Sequence, residues 1–378
     1  GGSNPLWRAE PVGSGRFYFF YLKAQNVYRK ELDMSDKAKK GLKLAGYAAV
    51  ILLTAFILYH LFKDSYKEIA AQLIKTNIWM LLLMILLGNM YYFIDAIMYS
   101  YLLKKDGTPV NMLRCIAVSY MGIFFNVTTF GAGIKPGQVV YLHNKGINVG
   151  RACAITTMPY VFHKTVIVGY AVIMLLFNNA FVMRNFSSTF GYIYIGAAIN
   201  IVIITGIILI CAAEWFHKLA MKLLDKILKK EKFTPFKNKI KNQVEALREG
   251  TKNIIKSPAA WISFTVINMI KMSCWYVIPI IAIYAAGGSL GGVTVAQAIT
   301  VTALMQLIMG VIPTSGGVGS LEVVFSLLFA AVFGKVMAGS SMVLYRISTY
   351  YIPFLISVII MLAVGKDMKS KKKAGGSE

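Results

Sequence analysis

The chain has 378 residues, 57% of them hydrophobic and only 15% charged, with a mean hydropathy of +0.61. Soluble domains carry roughly 45–50% apolar and about 25% charged residues, so this composition excludes an ordinary soluble enzyme and makes the bilayer the solvent for most of the chain. The formal charge of +24 does not point to nucleic acid, because the lysines and arginines cluster between apolar stretches and at the C-terminus, the distribution that orients membrane proteins.

Residues 1–33 differ from the rest: their composition is mixed and they lack the layout of a signal peptide. Met34-Ser35-Asp36-Lys37 reads as a cytoplasmic start, and Lys30-Glu31 just before it can be encoded AAG GAG, a ribosome-binding sequence. Residues 1–33 are therefore expected to be a non-native or disordered extension. One integral membrane domain is expected over 34–368, followed by a basic tail at 369–378.

A hydrocarbon core about 30 Å thick needs roughly 20 apolar residues per helical span. Six stretches meet that length: 42–62, 77–103, 152–180, 188–213, 258–285 and 341–365. Two further apolar segments, 112–130 and 293–312, run into Gly131-Ala132-Gly133-Ile134-Lys135-Pro136-Gly137 and Pro313-Thr314-Ser315-Gly316-Gly317-Val318-Gly319-Ser320. After the first break about ten residues remain before Asn144, too few to cross at 1.5 Å per residue. Each broken segment therefore reads as a re-entrant hairpin. The expected fold class is all-α: a polytopic bundle of six spans and two broken-helix hairpins, eight hydrophobic segments in all.

Charge orients the bundle. With the N-terminus inside, the inner loops hold Lys104, Lys105 and Arg114, then Lys135, Lys145 and Arg151. The inner segment 214–256 holds twelve Lys/Arg against five Asp/Glu, and the tail is lysine-rich. The outer stretches 63–76, 181–187 and Gly287–Val293 read as loops with little net charge. Both termini are thus expected in the cytoplasm. Within 215–230, Lys218, Lys222, Lys226 and Lys230 repeat every four residues with leucines beside them, the pattern of an amphipathic helix in the headgroup layer or in solvent.

Blocks 77–180 and 258–365 share an order of features: a Trp-led span (Trp79, Trp261), an apolar segment, a Gly/Pro break, a polar residue before two valines (Gln138, Glu322), and a last span with a cation (Lys164, Arg346). Trp79 and Trp261 are 182 positions apart, as are Lys164 and Arg346. Three crossings between the block starts would make the repeat inverted, as in many transporters. Broken backbone at membrane depth is tolerated only where protein or water covers it, so two facing breaks predict a polar cavity.

Ionisable residues within spans are costly and are either functional or paired. Here they are Asp95, His163, Lys164, Lys271, Glu322 and Arg346. Glu322 opens a helix whose N-terminus favours an anion, with Arg346 as first partner and Lys164 as second. Asp95 and Lys271, on the two Trp-led spans, are a second candidate pair. These pairs either hold the bundle together or handle a headgroup or ion. Lys135 is a candidate for lipid phosphate or a plain interfacial lysine, His163 reads as structural, and Tyr91, Tyr92, Tyr350 and Tyr351 as interface or packing residues. Isolated cysteines, histidines without ligand spacing and the lack of a phosphate-binding Gly-rich loop predict no metal, no cofactor and no nucleotide-driven pump.

Ile312-Pro313-Thr314-Ser315-Gly316-Gly317-Val318-Gly319-Ser320-Leu321-Glu322 resembles the "PtPGGlGxxE" signature of the lysylphosphatidylglycerol synthase/flippase membrane-domain family. Leu344-Tyr345-Arg346-Ile347-Ser348-Thr349-Tyr350-Tyr351-Ile352-Pro353 resembles that family's "lyRxxtyyxP" span, and Lys135-Pro136-Gly137-Gln138 sits where the family has a "P-x-x-x-G-E" loop. Gln138 departs from the family's Glu, Ser315 from its second Pro, and His163-Lys164 from its Glu-Arg. The resemblance implies a membrane half that translocates aminoacylated phospholipid and, in full-length relatives, a cytoplasmic half that makes it from aminoacyl-tRNA. With the sequence ending at Glu378, the membrane half alone is expected.

The function expected is translocation of a phospholipid or related amphiphile across a bacterial cytoplasmic membrane. Glu322 would attract a cationic headgroup or coupling ion, Arg346 and Lys164 would hold phosphate, and Gly316, Gly317 and Gly319, after Pro313, would allow close backbone approach; Lys135 and Gln138 stand at the other break. The alternatives are a phosphatidylglycerol lysyltransferase or the membrane subunit of a separate one, and a carrier of a lipid-linked sugar or small solute. Expected partners are an anionic or aminoacylated membrane phospholipid, a separate synthase, and a second copy of the chain.

Overall fold

The computed structural model describes residues 66–105, 111–129, 133–187, 190–227, 258–309 and 319–374, with 241, 244, 245 and 248. The extension at 1–33, the expected span at 42–62, most of 228–257, and Pro313, Gly316 and Gly317 lie outside the described residues. Those described form helices and the turns between them, with no strand. The helices are α1 (Tyr66–Ile74), α2 (Ile78–Lys105), α3 (Met112–Thr128), α4 (Ile134–His143), α5 (Val149–Phe177), α6 (Asn179–Phe186) and α7 (Phe190–Ala212). There follow α8 (Glu214–Ile227), α9 (Pro258–Ala285), α10 (Val295–Met309), α11 (Ser320–Phe333), α12 (Lys335–Arg346) and α13 (Ile352–Ala374). A π-helical turn, Ile347–Tyr351, joins the last two into one continuous rod.

Local chemistry sets the helix starts. Asn111 caps α3 by accepting from Leu113 N–H at 3.0 Å, and Asn148 caps α5 through Gly150 N–H at 2.9 Å. Asn77 receives Trp79 N–H at the start of α2. Thr294 and Gln297 form a reciprocal capping box at α10. Each such bond satisfies a backbone donor that the first helical turn leaves bare. The π turn has a cause too: Pro353 has no N–H and its ring crowds the carbonyl four residues earlier, so the helix widens just before it.

Four helices among the described residues are long and apolar enough to cross a membrane: Ile78–Lys104, Val149–Phe177, Ala259–Ala285 and Lys335–Val364. Their outer faces carry exposed stripes, such as Trp79, Leu82, Leu86, Phe93 and Ile97 on α2 and Ile262, Val266 and Ile270 on α9. Apolar faces of this extent are stable against lipid, not water. The helices beside the breaks are shorter. The 10 residues of α4 reach about 15 Å, and the 14 of α11 about 21 Å.

Each block thus reads long helix, short helix, break, short helix, long helix. Packing between them is reciprocal. The two Trp-led helices α2 and α9 lie against each other, the last helix of block one (α5) packs on α10 of block two, and the last helix of block two (α13) packs on α3 of block one. Close approaches fix the contacts: a Cβ at Gly88 would collide with the Ser348 carbonyl in the π turn, and one at Gly137 with the Phe125 ring.

The structure corrects several boundaries. The outer loop expected at 63–76 contains helix α1, pinned to α12 by Ser340 Oγ–H donating to Gln72 Oε1 at 2.7 Å. The loop expected at 181–187 is mostly helix α6, whose Phe181, Val182 and Phe186 are buried in the core; three aromatic or branched side chains in eight residues can fold against a neighbouring core without a span's length. The last span starts at Lys335 and not at 341, because Gly334 (φ +79°) turns the chain and opens α12 directly.

Candidate functional site

A cavity of about 380 Å³ lies where the two blocks meet, walled by both. From α2 come Tyr91, Tyr92, Asp95 and Tyr99; from α3 and α4, Ser119, Gly122, Asn126, Lys135 and Gln138; from α5, Tyr160 and His163. Block two contributes Lys271 and Trp275 from α9, Gln306 from α10, and Tyr345, Arg346, Thr349 and Tyr350 around the π turn.

Two buried ion pairs flank it. Lys271 Nζ lies 2.7 Å from Asp95 Oδ1, with 1% and 17% of the two side chains exposed. The same ammonium sits 4.6 Å from the centre of the Tyr91 ring, a cation–π contact that lowers the cost of its burial. In the second pair, Arg346 reaches Glu322 Oε1 through both Nη2 (2.6 Å) and Nε (2.8 Å). Glu322 Oε2 accepts Gly319 N–H at 2.7 Å, closing the first turn of α11. Gly319 has φ +90°, a backbone conformation that favours glycine.

Glu322 is fully buried, has both oxygens committed, and does not line the cavity. It therefore does not stand ready to draw in a cation, as its position in the sequence suggested. It anchors Arg346, which does line the cavity and whose guanidinium lies 4.9 Å from the Tyr350 ring centre. Lys164 is likewise not a lining residue; its ammonium lies 5.8 Å from the Tyr160 ring centre.

The first break is built differently. Lys135, near the start of α4, donates to the Thr156 carbonyl and also approaches the Tyr160 ring. Gln138, one turn on and 2% exposed, donates through Nε2 to the Val118 carbonyl at 2.8 Å and to Tyr99 OH at 3.4 Å. Its Oε1 has no partner among the described residues, and neither do Ser119 Oγ and His163 Nδ1.

The structure thus brings together Asp95 with Lys271, Glu322 with Arg346, and Lys135 with Gln138, but not Lys164 with Glu322. Tyr92 and Tyr350 are packing residues in a buried cluster with Tyr91 against it, and all three also line the cavity, as does His163. Ser119, Tyr99, Trp275, Gln306 and Tyr345 were not singled out as site residues. Each is a common residue in an apolar run, and only its orientation gives it a role. Groups of three or more His, Cys, Asp or Glu placed to hold a metal are lacking among the described residues.

Comparison with known proteins agrees with this architecture. A UPF0104 membrane protein of Pyrococcus horikoshii, PH1989, is 24% identical over 328 residues, covering 84% of this chain and 96% of its own. Residues 44–357 match the family described as "Lysylphosphatidylglycerol synthase TM region". With that match spanning both blocks and the cavity between them, the chain belongs to the lysylphosphatidylglycerol synthase transmembrane-region family of multi-pass membrane proteins.

Proposed function

We propose that this protein moves a phospholipid or related amphiphile across the bacterial cytoplasmic membrane by passing its headgroup through the central cavity. The observation that carries this is a 380 Å³ chamber with charged, hydroxyl and amide side chains in its wall, inside a bundle whose outer faces are apolar. Buried charge at membrane depth is expensive, and a bundle needing only stability would fill that space with leucine. A cavity at the junction of two broken-helix hairpins lets a headgroup shed water onto protein dipoles while its acyl chains stay in lipid.

Among the described lining residues, Lys271 and Arg346 are paired with Asp95 and Glu322, while Lys135 meets a backbone carbonyl and no carboxylate. The excess of positive charge favours a substrate with a phosphate. The reciprocal packing of the two blocks supports an inverted repeat, in which the cavity opens alternately to either face as one block rocks against the other. The basic segments support an orientation with both termini in the cytoplasm under the positive-inside rule.

The test uses the full chain reconstituted into vesicles with a trace of fluorescent phosphatidylglycerol or phosphatidylethanolamine. Dithionite added outside bleaches only the outer leaflet. Bleaching beyond half, lost in an Arg346→Ala variant that still unfolds cooperatively in detergent, is the expected result. Bleaching no greater than in protein-free vesicles, for every lipid tried, overturns the proposal. Transfer of an amino acid from aminoacyl-tRNA to lipid by the purified chain would favour the transferase alternative.

A further inference from the structure

The basic helix α8 begins where an apolar helix ends. The 23 residues of α7 include no charged side chain, a run that reaches about 35 Å at 1.5 Å per residue and suits the hydrocarbon layer. Ala213 alone separates α7 from α8, and the backbone ladder runs through the joint: Ala213 N–H donates to the Leu209 carbonyl at 2.8 Å, and His217 N–H to the Ala213 carbonyl at 3.0 Å. One residue gives the chain no room to leave the membrane surface, so α8 starts at the level of the headgroups. Two exposed rows run along it. Trp215, Leu219 and Leu223, each four residues from the next, are 65%, 45% and 49% exposed. Lys218, Lys222 and Lys226 form the second row and are exposed as well. The rows adjoin, since Leu219 and Lys222, like Leu223 and Lys226, stand three positions apart on the helix. Glu214 pairs with Lys218 at 3.2 Å and Asp225 with Lys241 at 2.7 Å; at about 100° per residue both acids fall on the flank away from the leucines. Lys222 and Lys226 meet no carboxylate among the described residues.

We propose that α8 is a docking surface for anionic lipid headgroups, lying along the membrane with Trp215, Leu219 and Leu223 among the upper acyl carbons and the lysine row against the phosphates. Charge and position both name the occupant. A helix with an apolar row beside a lysine row is the form that settles in an anionic interface. The lysine stems cover apolar surface while their ammonium groups reach the phosphates. Trp215 is the first large side chain after α7, and an indole is best placed at the headgroup level, with its ring on the apolar side and its N–H toward water. A soluble protein partner would have to reach leucines that the joint at Ala213 holds against the bilayer. Lysine-rich segments favour the cytoplasmic side, where anionic lipid makes the leaflet surface negative. The wider segment 214–256, with twelve Lys/Arg against five Asp/Glu, carries the same sign. This surface is separate from the central cavity, which no residue of α8 lines. Docking there fixes the depth of α7 and gathers anionic lipid beside the bundle, and it stands whether or not the protein moves lipid.

The experiment attaches an environment-sensitive fluorophore to Leu219→Cys in the full chain, with the native cysteines replaced by alanine. The protein is reconstituted in nanodiscs of phosphatidylcholine alone or mixed with phosphatidylglycerol. In the mixed discs the Leu219 probe should be quenched by a lipid spin-labelled just below its headgroup and shielded from acrylamide in the water. A probe at Asp225→Cys should stay open to acrylamide. Each lysine near an anionic surface adds roughly fivefold to binding, so Lys218→Gln, Lys222→Gln and Lys226→Gln together should remove the difference between mixed and neutral discs. The unaltered chain supplies a second reading if the cysteine variants fail to fold. Tryptic cleavage after Lys218, Lys222 and Lys226, followed by mass spectrometry, should be slower in the mixed discs and recover in about 1 M salt, where screening shortens the reach of the charges. A Leu219 probe as open to acrylamide as the Asp225 probe in mixed discs overturns the proposal. So does a probe shielded from acrylamide yet untouched by the spin-labelled lipid, because the row would then pack on protein, a second copy or another partner. Equal behaviour in mixed and neutral discs, by probe or by trypsin, removes the role of charge and overturns it too.

Discussion

The two short helices that follow the Gly/Pro breaks, α4 and α11, spend their charges differently. At the second break Glu322 and Arg346 neutralise each other in a buried, doubly bonded pair, and the acid also closes the start of α11. At the first break the corresponding acceptor is Gln138, an uncharged amide, and Lys135 meets a backbone carbonyl instead of a carboxylate. After the second break the acid and the cation thus satisfy each other, whereas after the first Lys135 has no carboxylate beside it and Gln138 Oε1 no donor among the described residues.

The largest effect should come from breaking the satisfied hairpin. Glu322→Gln takes a doubly bonded carboxylate away from the Arg346 guanidinium, which is 3% exposed. Removing one partner of such a pair costs about 3–5 kcal/mol, to be seen as a large drop in thermal unfolding temperature of the full chain in detergent. A drop no larger than that of Lys135→Met would erase the distinction between the two regions. Next is the seam that joins block one to the π turn. Gly88→Ala puts a methyl group against the Ser348 carbonyl and should cost about 1–3 kcal/mol in the same assay, with flipping slowed as the seam is forced apart.

Lys135→Met should act the other way round, leaving the unfolding temperature nearly unchanged while slowing lipid movement in the vesicle assay at least tenfold, or about 1.4 kcal/mol. The smallest effect sharpens the role of burial. Asp225 and Lys241 are also 2.7 Å apart, but their side chains are 44% and 31% exposed. Asp225→Asn should therefore shift stability by only about 0.2–1 kcal/mol, although the distance equals that of Asp95–Lys271. A shift as large as that of Glu322→Gln would mean that this basic segment is not solvated.

Much of this was legible in the order of residues. Asp95 and Lys271 stand out because a lone charge in a long apolar helix must find a partner, and they sit on two helices that begin with the same Trp signature. The Gly/Pro breaks are visible because no other composition stops an apolar helix so abruptly. Other features were hidden. The helices at Tyr66–Ile74 and Asn179–Phe186 are too short to show a pattern, so they read as loops. Tyr91, Tyr92 and Tyr350 carry the same letters whether they face lipid headgroups or a chamber.

The sequence by itself determined that this is an all-helical membrane protein, where two apolar segments are interrupted, and which charges are too costly to stand alone. Only the tertiary structure decided which way those charges face. The reason is geometric. A helix that is apolar nearly all the way round, like α2 or α5, has no stripe to announce its buried side, and each step along it rotates a side chain by about 100°. The rotation that turns Asp95, Lys135 and Gln138 inward and Lys164 aside is set by packing against the other block, by contacts such as Gly88 against Ser348 that no local stretch of residues contains.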